Sequence, residues 1–163
     1  MGTRDSTMKV LLLFFFFVFG ASAAFGEPEL APNPPGDKPG SMRQKQIANF
    51  ERAIAPYVAK ARATYPEAKQ RFLAGLPPGQ AFFLTTRLHD KDGKWEQVFI
   101  GVERIKDGSV TGTISNDLFT VKEFRRGQRY TFPESELLDW LITKPDGTEE
   151  GNFVGKFLDT YRP

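Results

Sequence analysis

The sequence predicts an α+β fold, with N-terminal helices packed on a strongly bent antiparallel sheet or a partly open small barrel of five to seven strands. Two observations carry that expectation. Three Asp-Gly pairs, Asp92-Gly93, Asp107-Gly108 and Asp146-Gly147, each lie between apolar runs, and such pairs tolerate the positive φ angles of tight hairpin turns. Ahead of them, Ile47, Phe50, Ile54, Val58, Ala61 and Tyr65 recur every three or four residues, the spacing of one apolar helix face.

The central hairpin is read from residues 94–116. Val98, Ile100 and Val102 alternate with Gln97, Phe99, Gly101 and Glu103, a period of two that buries one face of a strand. Residues 110–114 alternate in the same way. Upstream, residues 81–88 put Phe82, Leu84, Thr86 and Leu88 on one face, and the Asp92-Gly93 pair closes them onto the strand that begins at Trp95. Downstream, Tyr130 to Phe132 forms a strand that Pro133 ends, and residues 137–143 and 151–158 flank the third pair as a longer-looped hairpin.

Residues 1–26 read as a secretory signal peptide: Met8-Lys9 opens it, residues 10–19 are unbroken apolar, and Gly20 to Ala23 are small. Ten apolar residues fall short of the roughly 20 that span a bilayer, so no membrane span is expected once the signal is removed. Residues 27–41 hold five prolines without periodicity and read as an extended linker. Residues 42–163 form a single domain. Ser41 with Gln44 resembles a capping box at the helix start, and Pro56 either kinks the helix or restarts it.

The chain has no cysteine, so a lipidated cysteine and disulfides are both excluded, which fits an exported, periplasmic or secreted bacterial protein held by its core. Without residues 1–26 the chain carries 20 basic and 19 acidic residues, too balanced for nucleic-acid binding. Within that balance, residues 42–74 hold seven basic and two acidic residues, and residues 75–163 hold 12 and 14. A solvated helix face partly paired with the sheet explains the asymmetry more simply than an anion site. The stripe of Ile47, Phe50, Ile54, Val58 and Ala61 is the available cover for the sheet, each large side chain contributing about 1.5–3 kcal/mol on burial.

With these residues in view, the chain resembles the YegJ-like domain of bacteria, a domain family of unknown function. The likeness covers about residues 49–158 and is carried by Glu96, Gly112 with Asn116, Gly127, the Asp139-Trp140 pair and Gly151. It implies a fold and no agreed activity.

Candidate chemistry is sparse. His89 is the only histidine, which removes histidine-rich metal sites and leaves at most one imidazole base. Asp90 to Gly93 lacks the later acidic ligands of a calcium loop and is read as a turn. No metal or cofactor is expected. Glu96 and Asp139, each beside a tryptophan (Trp95, Trp140), lie at the starts of strands that could be neighbours, and paired carboxylates can do acid/base work on a sugar. The simpler reading makes Asp139 a cap and Trp140 core. Lys122, Arg125, Arg126 and Arg129 form a basic loop suited to an anionic polymer or an acidic partner, or simply solvated. The leading expectation is a non-enzymatic binding or interaction module of the cell envelope, with an unknown protein or envelope component as partner. It would use a sheet edge or the helix–sheet cleft, with Asn116, Asp139 and Trp140 as contacts. The alternatives are an envelope glycan hydrolase using Glu96 and Asp139, and an inhibitor or immunity-type protein.

Overall fold

A computed structural model describes residues 44–162; the signal, the linker and the Ser41 cap lie outside them. Helix α1 (Gln44–Ala74) leads into strands β1 (Ala81–His89), β2 (Trp95–Lys106), β3 (Ser109–Ile114), β4 (Arg129–Pro133), β5 (Asp139–Thr143) and β6 (Glu149–Gly151), and helix α2 (Phe153–Thr160) follows. The strands make one open antiparallel sheet in the order β4-β3-β2-β1-β5-β6. The architecture is therefore α+β with the long helix N-terminal to the sheet.

The turns form where the Asp-Gly chemistry places them. Asp107 and Gly108 take φ of 50° and 74°, the left-handed pair that lets β2 fold back onto β3 without splaying their twist. Asp90 accepts the amides of Asp92 and Lys94 at 3.0 and 2.9 Å, and Asp146 accepts that of Thr148 at 2.9 Å. These are Asx-type bonds, which hold a turn by satisfying its own backbone. Between Val102 and Arg104 the β2–β3 register shifts, and Glu103 there accepts hydrogen bonds from Thr113 Oγ1 and from Arg129.

Register assigns the faces. Phe82, Leu84, Leu88, Val98, Ile100, Val110, Ile114, Phe132, Trp140 and Ile142 share one face and pack with Ala61, Tyr65 and Ala68 of α1. The helix is tied down by charge as well: Lys69 meets Glu134 at 2.8 Å, Arg71 meets Glu150 at 2.6 Å, and Arg62 Nε donates to the Leu137 carbonyl at 2.8 Å. The basic helix thus leans on carboxylates of the sheet half. On the other face, Ala81, Phe83, Phe99 and Leu141 are also buried, with Gln97 and Thr143 beside them. The alternation in β1 and β2 predicts one buried face; at the sheet's centre both are buried.

Three expectations need correction. Pro56 does not restart the helix: α1 is continuous over 31 residues, with Pro56 and Pro66 both inside it. Both prolines are exposed, so the carbonyls that lose their amide partners lie on the side that water reaches. The stripe of Phe50 and Ile54 packs chiefly on Val154 of α2, touching the sheet only through the cluster's edge at Trp95 of β2, and the helix covers the sheet's main core from Ala61 onward. Residues 153–160 are helical rather than a strand. Gly151 and Asn152 both take left-handed φ, 77° and 54°, which ends β6 after three residues and swings the chain into α2. Glycine adopts that conformation without penalty and asparagine at little cost.

Candidate functional site

Glu96 stands second in β2, opposite Leu88, and is fully buried. Its carboxylate accepts the backbone amides of Phe119 (3.0 Å to each oxygen), Thr120 (2.7 Å) and Val121 (3.2 Å). Three converging N–H dipoles replace the water that burial removes. Glu96 therefore fixes the loop that follows β3. Residue 116 completes the same junction: Asn116 Oδ1 accepts the Phe99 amide at 2.8 Å and Nδ2 donates to the Asp117 carbonyl at 2.9 Å.

Asp139 opens β5 opposite Thr85 and is 1% exposed. Its Oδ1 accepts the Trp140 amide at 2.8 Å, and its Oδ2 accepts the Val154 amide at 2.6 Å. It is thus a cap reaching across the chain to the first turn of α2. Desolvation pushes its carboxyl up to about 6, against the opposing pull of the backbone amides of α2 and Trp140. Trp140 packs against Phe82 and Phe153, and its Nε1 donates to Thr64 Oγ1 at 2.9 Å. Trp95 is half-buried under the Arg87 guanidinium, 4.5 Å from its ring centre.

The two carboxylates do not meet. β1 runs between β2 and β5, and Leu88 and Thr85, their respective partners, are an odd number of residues apart in an unbroken strand. Their side chains therefore leave opposite faces of the sheet. No single sugar ring can sit between them, as acid/base cleavage by a carboxylate pair requires.

Two clefts remain. One, of about 370 Å³, opens between the last turn of α1 and the sheet, and is lined by Phe72, Leu76, Phe82, Val102, Gln80 and Glu103 among others. Gln80 is one of the lining residues, and its Oε1 is buried without a hydrogen-bond partner. The other, of about 260 Å³, is polar and lies by Arg62, Arg87, His89, Ser135 and Glu136. It places His89 beside two arginines, one of which is paired with Glu51 at 2.5 Å. Lys122, Arg125, Arg126 and Arg129 are all exposed on or beside the loop that Glu96 holds. Among the described residues, no group of three or more acidic, histidine or cysteine side chains could hold a metal ion. No helix among them is long and apolar enough to cross a membrane.

No family model, curated protein or solved structure matches this chain.

Residue types and spacing pointed to Glu96, Asp139 and Trp140, and the resemblance added Asn116. The structure gives all four buried positions and internal partners. The apolar cleft was missed in its particulars, because Phe72, Phe82 and Val102 read as ordinary core positions. Only a glutamine following the Pro77-Pro78-Gly79 break hinted that a polar group would be carried into it.

Proposed function

We propose that the chain is an exported bacterial envelope protein working as a non-enzymatic binding module, with its ligand held in the cleft between the end of α1 and the sheet. The observation that carries this reading is the pairing of an apolar lining with one unpartnered acceptor, Gln80 Oε1. An unmet buried acceptor costs about 1–3 kcal/mol, and a ligand with an apolar body and an N–H donor would recover it once the Gln80 amide turns out to meet that donor. That combination describes an apolar amino-acid residue within a peptide. The reading is supported further by Glu96 and Asp139, whose carboxylates are taken up by backbone amides on opposite faces of the sheet. That arrangement weighs against the glycan hydrolase.

The test is titration of the isotope-labelled full chain with N-acetyl-leucinamide and, separately, with soluble peptidoglycan fragments. Saturable shifts at Phe72, Leu76 and Val102, with Kd on the order of millimolar for so small a probe, are expected, and Val102→Arg should abolish them. Shifts absent from these residues would overturn the cleft. Cleavage of the fragments, lost in Glu96→Gln or Asp139→Asn while the variant stays folded, would overturn the non-enzymatic reading.

A further inference from the structure

Register puts Phe83, Phe99 and Leu141, with Arg87, Gln97 and Thr143 around them, on the sheet face turned away from Ala61, Tyr65 and Ala68 of α1. Side chains on an uncovered sheet face keep part of their surface in water. Phe83 and Leu141 are nevertheless 0% exposed and Phe99 3%. Among the described residues, no hydrophobic side chain outside this cluster packs against it. Its cover therefore comes from the rest of the chain. Beyond residues 44–162 there is a single residue at the C-terminus, too little for three strands, and 43 residues at the N-terminus.

The described chain begins at the right end of this face. Trp95 shares the face with Gln97 and Phe99 and meets the cluster of Phe50, Ile54 and Val154. Gln44 stands about 9 Å along the helix from Phe50. A polyproline stretch as long as residues 27–41 spans about 45 Å, against about 20 Å of strand from Trp95 to Gly101. Reach is ample.

Chemistry favours the linker as occupant. Gln97 Nε2, Arg87 Nε and Thr143 Oγ1 are buried without hydrogen-bond partners; the first two are donors and the third can donate. Five of the fifteen residues 27–41 are prolines, which have no N–H to offer. Polyproline makes no internal hydrogen bonds, so its carbonyls are free to accept, and its rings suit aromatic-lined surfaces. A helix of residues 10–19 would spend its carbonyls on its own amides and leave those donors unmet.

We infer that residues 27–41, the front of the chain once the leader is removed, fold back as a polyproline strap over Phe83, Phe99 and Leu141, with carbonyls of the strap accepting from Gln97 and Arg87. This contact does not depend on what the cleft at the end of α1 binds.

The test is nuclear magnetic resonance on the isotope-labelled chain from Glu27 on, with the full chain beside it. Overhauser contacts from the rings of Pro32, Pro34 and Pro35 to those of Phe83 and Phe99 are expected in the chain from Glu27 on. Replacing the three prolines together with serine alters no residue of the domain. It should abolish the contacts, shift the resonances of Phe83, Phe99 and Leu141, and let a dye for apolar surface bind, while Leu84 and Ile142 on the α1 face keep their resonances. Absence of proline contacts in the chain from Glu27 on, or unchanged Phe83 and Phe99 resonances in the serine variant, overturns the strap. Contacts from residues 10–19 in the full chain, with none from the prolines in the shorter one, would give the face to the leader instead. Proline contacts seen only between labelled and unlabelled copies would give it to a second copy, and equally overturn the fold-back.

Discussion

Glu96 and Asp139 begin as the same kind of residue, a carboxylate next to tryptophan at the head of a strand, and the fold gives them two different anchoring tasks. Glu96 gathers three amides of the loop after β3. Glu96→Gln would turn an NH2 group toward amide donors and leave at least one of them unmet, at a cost of about 3 kcal/mol, roughly a 10 °C fall in Tm. Hydrogen exchange should accelerate at residues 119–121 in particular. In Asp139 burial favours the acid form. Its carboxyl is raised from 3.8 to about 6 in the folded chain, so the native state binds the proton more tightly than the unfolded state does. The resulting stability is complete below about pH 4 and is lost as pH rises through 6, an effect of ~3 kcal/mol. Chemical denaturation of the wild type should therefore show stability declining from pH 4 to 7, with Asp139→Asn flattening that decline. A carboxyl carbon that titrates near 4 instead would refute this account.

At the scale of elements, what could be read from residue order was whatever depended on neighbours in the chain. The Asp-Gly turns, the alternation of β1 to β3 and the apolar stripe of α1 are local signals, and each corresponds to an element that forms. The C-terminal piece was misread as a strand. Phe153, Val154, Phe157, Leu158 and Tyr161 have helical spacing, but the run is short enough for strand and helix to compete. The left-handed Gly151-Asn152 step decides it. Gly151 also passes so close to Trp140 that a Cβ there would run into that residue's carbonyl oxygen and ring. Gly151→Ala is expected to cost at least ~2 kcal/mol through clash and backbone strain together, seen as a lowered denaturation midpoint with unchanged m-value. The cleft at the end of α1 was illegible for a different reason: it is made by residues 72 and 102, from separate elements, failing to close over Gln80, and no local pattern encodes a gap.

Across the whole molecule, the long helix serves two partners. From Ala61 to Ala68 it lies on the sheet, and at Phe50 and Ile54 it lies on α2. Burial alone, without this division, would have assigned the entire stripe to the sheet, as the sequence suggested. Truncating Ile54 to alanine should cost about 3 kcal/mol. Because the cavity opens between the helices, the loss should come with faster hydrogen exchange in α2 and in the first half of α1, while the amides of β1 and β2 keep their protection. Equal loss of protection throughout would mean that the two layers do not open separately.

The junction of α2 with the first half of α1 also has a consequence for how the chain comes into being. A polypeptide leaving a ribosome or a translocation pore emerges with its N-terminal part first, so Phe50 and Ile54 are in water long before Val154 exists to shelter them. The β1–β4 meander can assemble from neighbouring segments in the meantime, yet the leading helix keeps a sticky half until α2 arrives. A nascent form halted before residue 153 would offer that greasy stripe to chaperones and proteases, and the two turns of α2 are what withdraw it.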